Sequence, residues 1–173
     1  MIEVKRIARW LGLAAEFDSG NILPIENGKT LSDNGISIVI RSDSGIYKRS
    51  IPFLIENELW CLQELALSGF VPSAERYDKY TILMQDLGKS QSVTDGAELW
   101  RNFDRLATVL HDARIRHGDL TVQAVIVREN FPYLIDFAES RRWYDPRPDK
   151  RPGGDKLWIN KTYEELTRRT SQE

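Results

Sequence analysis

The 173-residue chain has one cysteine and two histidines, a net charge of only −2, and no long apolar run. A lone cysteine, Cys61, excludes an intrachain disulfide and cannot by itself build a thiolate zinc site. It lies in an apolar helical pattern and reads as a small buried side chain. His111 and His117 are the only histidines, and no third ligand stands at metal spacing, which argues against zinc hydrolysis. A Ser/His/Asp hydrolase is equally poorly served, because no Gly-x-Ser-x-Gly elbow is present. The small net charge gives no overall pull toward nucleic acid or an anionic membrane. No apolar segment approaches about 18 residues, and the start at Met1-Ile2-Glu3-Val4-Lys5-Arg6 lacks a signal peptide's apolar core, so the expected location is cytoplasmic.

What is present suits a folded domain. Hydrophobic residues make up 41% and charged residues 29%, and the length fits one compact domain or two small lobes around a cleft. Ile2, Ile7, Trp10, Leu11 and Ala14 have roughly helical spacing within residues 1–16. Ile36 to Arg41 and Ile46 to Arg49 read as antiparallel strands joined by the Ser42-Asp43-Ser44-Gly45 turn. Pro52 opens a helix with Leu54, Ile55, Leu59, Leu62, Leu65 and Ala66 on its apolar face; Gly69 closes it and Pro72 stops it. Tyr80 to Met84 reads as a further strand.

The composition from Lys89 to Gly96 turns to Ser, Thr, Gln and Gly, a linker between lobes. Asp95 with Glu98 has the spacing of a capping box and begins a helix with Leu99, Phe103, Leu106, Val109 and Leu110 on one face. Ala124 to Val127 and Tyr133 to Ile135 predict a short hairpin. Residues 141–154 read as irregular, and Lys156 to Arg169 as a last helix.

The chemistry concentrates around that hairpin. His117-Gly118-Asp119-Leu120-Thr121 precedes it, and Leu134-Ile135-Asp136-Phe137 follows its second strand. Asp119 sits where a base could receive a hydroxyl proton, and Asp136, after an apolar strand, where a carboxylate could hold a divalent cation. Phosphoryl transfer needs little beyond positioning, a metal and one such base.

These motifs and their order resemble the protein-kinase-like superfamily over about residues 30–166. The nearest likeness is to its small atypical kinases of the RIO and Bud32 type or the lipopolysaccharide sugar kinases. Leu110-His111 ahead of Ile115-Arg116-His117-Gly118-Asp119-Leu120-Thr121 carries much of it. The resemblance implies an α+β, two-lobed protein-kinase-like fold. Residues 1–88 would form a small β-rich N-lobe with an N-terminal helix, and 89–173 a truncated, mainly α-helical C-lobe. It implies ATP and Mg²⁺ as cofactors, with Asp119 as catalytic base and Asp136 as metal ligand. Lys48 would meet the α- and β-phosphates, paired with Glu58 or, as the fallback, Glu56. His117 would brace the loop. Met84 to Leu87 would be the hinge, with Gln85 and Leu87 offering backbone groups to adenine. Asp155 fits either the aspartate that buttresses the family's catalytic loop or a plain helix N-cap.

Three positions depart from the family pattern. Ala124 stands where an asparagine would be the second metal ligand, with Gln123 the nearest substitute. Leu31 to Ser37 occupies the place of the glycine-rich turn but has one glycine, leaving Ser32, Asn34 and Ser37 as its phosphate-facing candidates. Ala138 replaces the glycine usual two residues after the metal aspartate. The expectation is therefore an ATP- and Mg-dependent kinase acting on a hydroxyl, protein Ser/Thr foremost, or else a pseudokinase serving as a binding or scaffold module. A protein substrate or partner is implied. RNA contact through Arg141, Arg142, Arg147, Lys150 and Arg151, interleaved with Trp143 and Tyr144, is a weaker reading because Asp145 and Asp149 dilute the charge. The Bud32 likeness also admits a place in a tRNA-modification assembly. Trp10, Trp60, Trp100 and Trp158 read as packing residues.

Overall fold

The computed structural model describes residues 25, 28–34, 36–143 and 154–170. The N-terminal helix expected over 1–16, and most of the basic run beyond Trp143, lie outside them.

A five-stranded antiparallel sheet in the order β1-β2-β3-β5-β4 forms the first lobe, with β1 at Lys29–Asp33, β2 at Ser37–Ser42, β3 at Gly45–Ser50, β4 at Ala74–Asp78 and β5 at Thr81–Met84. β2 and β3 pair from Ser37↔Ser50 to Ser42↔Gly45, so the turn has only two residues between the paired ends. Gly45 is required there. Its φ is +140°, and a Cβ would lie 2.6 Å from the Met84 carbonyl where β3 passes β5. The register sets Lys48 between Val39 on β2 and Ile82 on β5.

Helix α1 (Pro52–Leu65) starts on Pro52, whose missing N–H loses nothing at a helix start. Ile55, Glu58, Leu59, Leu62 and Leu65 form its buried stripe, an i, i+3, i+4, i+7, i+10 pattern that contains one carboxylate. A 3₁₀ turn over Ala66–Ser68 and the left-handed Gly69 end it.

Helix α2 (Gly96–Asp112) buries Leu99, Phe103, Leu106 and Leu110. Asp95 caps it, accepting from the Glu98 amide at 3.0 Å. The reciprocal half of the expected capping box is absent: Glu98 accepts from Asn130 instead, and the Asp95 amide donates to Asn130 Oδ1. Two small ladders follow, β6 (Ile115–Arg116) with β9 (Arg141–Arg142), and β7 (Val125–Arg128) with β8 (Phe131–Leu134). Helix α3 (Gly154–Thr170) packs on α2. The stretch read as a linker is tied down, since Gln91 donates its amide to the Val127 carbonyl and Ser90 accepts from the Val127 amide.

One core runs through α1, β5, α2, β7, β8 and α3, including Ile55, Ile82, Phe103, Val127, Leu134 and Ile159. A smaller cluster of Ile38, Ile40 and Tyr47 covers the other face of β2 and β3. Trp60 and Trp158 are partly buried, as expected of packing residues, whereas Trp100 is 39% exposed and rests edge-on against Tyr163. Trp10 is outside the described residues. Among the described residues no helix is long and apolar enough to cross a membrane.

Candidate active site

A carboxylate in the apolar stripe of α1 needs a partner, because an isolated buried charge is strongly disfavoured. Glu58 finds it in Lys48: Nζ lies 2.6 Å from Glu58 Oε2 and 2.6 Å from Asp136 Oδ1. Lys48 and Glu58 are both buried, while the Asp136 side chain is 62% exposed. Burial alone would lower the Lys48 pKa, but the two carboxylates outweigh it and hold the ammonium charged above its ordinary range. Burial pushes Glu58 up, against the pull of Lys48. Glu56 is not the partner. It faces outward and pairs with Arg76 at 2.7 Å.

The loop carrying Asp119 is held from three sides. Asp155, in the first turn of α3, accepts from the backbone amides of His117 (2.7 Å) and Gly118 (3.3 Å). It therefore buttresses this loop across the fold. Gly118 has φ +80°, and a Cβ there would stand 2.8 Å from the Glu139 carbonyl. His117 is fully buried; its Nε2 donates to the Ile135 carbonyl at 3.0 Å, and burial lowers its pKa. Its ring lies 4.7 Å from that of Phe137. Ser140 Oγ donates to the His117 carbonyl, joining this loop to the one after Asp136.

Asp136 has φ +64° and ψ +60°, a left-handed backbone that a non-glycine residue adopts at about 1 kcal/mol or more. The 3₁₀ turn Phe137–Glu139 follows, with Phe137 fully buried. Asn57, the residue before Glu58, donates its side-chain amide to the carbonyls of Phe137, Ala138 and Ser140.

Lys48, Glu58, Asp119, Gln123 and Asp136 line one cleft of about 520 Å³, within the range of small-molecule sites. Ala124 is buried, its carbonyl accepting from the Ile135 amide, and Gln123 is the exposed side chain of that turn on the cleft wall. The other sequence candidates line the same cleft: Ser32, Asn34 and Ser37 at one end, Gln85 and Leu87 at the other. Asn34 shapes the β1–β2 turn without extra glycines, since its Oδ1 accepts from the amides of Ile36 (3.0 Å) and Ser37 (2.8 Å). Ser37 turns its hydroxyl to Ser50 at 2.8 Å. The Gln85 amide already donates to the Ser73 carbonyl, so any Gln85 contact to a base must use its carbonyl.

Neither sequence-family profiles nor curated proteins give a match for this chain. Solved structures do. The chain is similar to a Rio2 kinase–ADP/Mg²⁺–phosphoaspartate complex from Chaetomium thermophilum, with a TM-score of 0.59 at 15% identity over 96% of this chain and 59% of that one. A second Rio2 kinase structure from the same organism gives 0.55 at 16% identity over 79% and 53%. The fold is kinase-like.

The chain thus spans just over half the length of the kinases it resembles. Within this kinase-like fold two features escape a reading of the sequence. Asn57 acts on backbone carbonyls, which leave no mark in a sequence. The Arg41–Asp86 pair joins β2 to the segment after β5 through two contacts at 2.7 and 3.0 Å, visible only once the sheet order places both beside β3. Asp155, offered by the family likeness either as a loop buttress or as a plain helix cap, takes the buttressing place by accepting from His117 and Gly118. Of the basic run, Arg141 is buried and Arg142 lies over the Trp60 ring at 4.6 Å; Arg147, Lys150 and Arg151 are outside the described residues. Cys61 is fully buried and burial raises its thiol to about 12, so it is a packing residue.

Proposed function

We propose that this chain is a phosphotransferase that uses ATP and Mg²⁺ to phosphorylate a hydroxyl, with protein Ser or Thr as the favoured acceptor. The carrying observation is the buried Lys48 held at 2.6 Å from both Glu58 and Asp136 in the cleft that Asp119 also lines. A fixed, charged ammonium beside an accessible carboxylate is what a nucleotide's phosphates and their metal require. The solved Rio2 complex with ADP and Mg²⁺ is compatible with nucleotide use in such a fold.

The donors fit magnesium. Asp136 brings a carboxylate, Gln123 an amide oxygen, and Ala124 none; among the described residues no cluster of three or more His, Cys, Asp or Glu offers a closed cage. Magnesium is commonly held by one or two carboxylates, with waters and substrate phosphates completing its shell. Bound there, it would neutralise charge on the phosphates. Lys48 orients the α- and β-phosphates, and Glu58 keeps its ammonium in place. Asp119 takes the proton as the acceptor oxygen attacks the γ-phosphorus, the new O–P bond forms and the bond to the β-phosphate oxygen breaks. Gln85 through its carbonyl and Leu87 through its amide would meet the adenine, and the Ser32–Ser37 turn would cover the phosphates.

Ala124 favours a second reading, a pseudokinase that binds nucleotide or a partner protein without transfer. Phosphate transfer from labelled ATP, with Mg²⁺ or Mn²⁺ and a panel of acceptors, separates the two. The kinase reading expects transfer that falls at least about 100-fold in both Asp119→Ala and Asp136→Ala. Nucleotide-dependent stabilisation without transfer would support a nucleotide-binding module, and the absence of both would remove the kinase reading and point to a partner-binding scaffold.

A further inference from the structure

We propose that Asn57 is a positioning residue that locks the Asp136 loop to helix α1, so that the lysine-pairing helix and the metal-binding aspartate move as one unit. The proposal deepens the phosphotransferase reading, on which its consequence for magnesium rests.

The geometry is unusually one-sided. The Asn57 side chain lies 3.1 Å from the Phe137 carbonyl, 3.2 Å from that of Ala138 and 2.7 Å from that of Ser140. Three acceptors converge on one NH₂ group, which only a donor can satisfy. The next residue, Glu58, holds the Lys48 ammonium at 2.6 Å, and that ammonium lies 2.6 Å from Asp136 at the start of the turn. Two consecutive residues of α1 thus reach the same short stretch, Asn57 through the carbonyls of the turn and Glu58 through the Lys48 bridge to Asp136. That turn begins at the left-handed Asp136, whose backbone a neighbouring structure must stabilise if it is to persist. Phe137 anchors the turn apolarly, buried against His117, but a buried ring fixes depth and leaves the tilt of the turn free. The amide of Asn57 fixes the tilt, and with it the direction of the Asp136 carboxylate. Ala138, lacking the freedom of glycine, reinforces the same state.

Three substitutions test this. Asn57→Ala removes the donor, and Asn57→Asp keeps the size but turns an acceptor toward three carbonyls. Asn57→Gln keeps the donor on a longer arm. Amide hydrogen exchange on the chain without nucleotide reads the lock directly, at the Ser140 amide, which donates to the Phe137 carbonyl. Exchange over 137–140 should quicken about tenfold in Asn57→Ala and more in Asn57→Asp, with Asn57→Gln between Ala and wild type. The Mg²⁺ concentration giving half-maximal ADP-dependent stabilisation should rise about three- to tenfold in the same order. A residue that merely supports the fold would lower the melting temperature without moving the Mg²⁺ midpoint at saturating ADP, and that result would overturn the proposal. So would exchange unchanged in all three variants. A wild type that shows no ADP or Mg²⁺ response would defeat the phosphotransferase reading alone, because the exchange order still decides whether Asn57 holds the loop.

Discussion

His117 is fully buried, with Nε2 donating to the Ile135 carbonyl and Nδ1 without a hydrogen-bond partner. Burial lowers its pKa below the ordinary 6.5, although Asp155, Asp136 and Asp119 pull the other way. The unfolded chain therefore takes up this proton more readily than the folded one. The neutral imidazole costs nothing well above about pH 6.5, and stability is lost as the pH falls below that value, at up to about 1.4 kcal/mol per pH unit. His117→Phe keeps a ring against Phe137, gives up the bond to Ile135 at about 1 kcal/mol, and removes the titration. Urea midpoints at pH 7.5 and 5.5 should then differ less in the variant than in the wild type. Equal differences would show that His117 does not set the acid response. At this scale the site is legible in part. Lys48 and Glu58 are legible through the family likeness, and the structure shows them as a buried charge pair. Asn57 is not, because its partners are carbonyls 80 or more residues away that any residue would supply.

At the scale of elements, the β7–β8 turn does more than reverse the chain. Glu129 and Asn130 both have positive φ, the pattern of a two-residue turn matched to the strand twist. Asn130 Oδ1 accepts from the Thr94 amide (2.9 Å) and hydroxyl (3.1 Å) and from the Asp95 amide (3.0 Å), and its Nδ2 donates to Glu98 at 3.1 Å. Its carbonyl accepts from Asn102 at 3.1 Å. One side chain thus pins the start of α2 to the hairpin. Asn130→Gly retains the turn and deletes these side-chain bonds, and should lower stability by about 2–3 kcal/mol in urea unfolding. Asn130→Ala should lose more, since alanine also resists positive φ. A loss under about 0.5 kcal/mol in the glycine variant would mean that the network is dispensable. The helices α1, α2 and α3 and the strands β2, β3, β5, β7 and β8 are readable because each has an apolar face of the right period. β1 and β4 are the sheet's edges. β1 is wholly exposed and β4 largely so, and without alternation they leave no signal. The capping box fails for a related reason: Asp95 and Glu98 have the right spacing, but a distant Asn130 competes for both.

Across the whole molecule, the two lobes share one core. Ile55, Leu59, Leu62 and Ile82 from the first lobe are continuous with Phe103, Leu106, Val127 and Leu134 from the second. Polar ties cross the same boundary: Lys48 to Asp136, Asn57 to the turn after it, and the Leu134 amide to the Phe70 carbonyl at 2.8 Å. A lobe undocked from its partner would expose apolar faces of α1 and β8 and strip Lys48 of Asp136, so undocking gains little chain entropy for a large loss of burial. Among the described residues, only the small Ile38, Ile40 and Tyr47 cluster on the far face of the sheet stands apart. The two lobes should therefore unfold as one cooperative unit. Calorimetry should give a single transition whose calorimetric and van't Hoff enthalpies agree, on the order of 100 kcal/mol for a chain of this size. Two resolved transitions, or a calorimetric enthalpy well above the van't Hoff value, would mean that the lobes are thermodynamically separate. In that case the contacts across the cleft are too weak to hold Lys48 and Asp136 together, and the cleft would have to be assembled by a ligand.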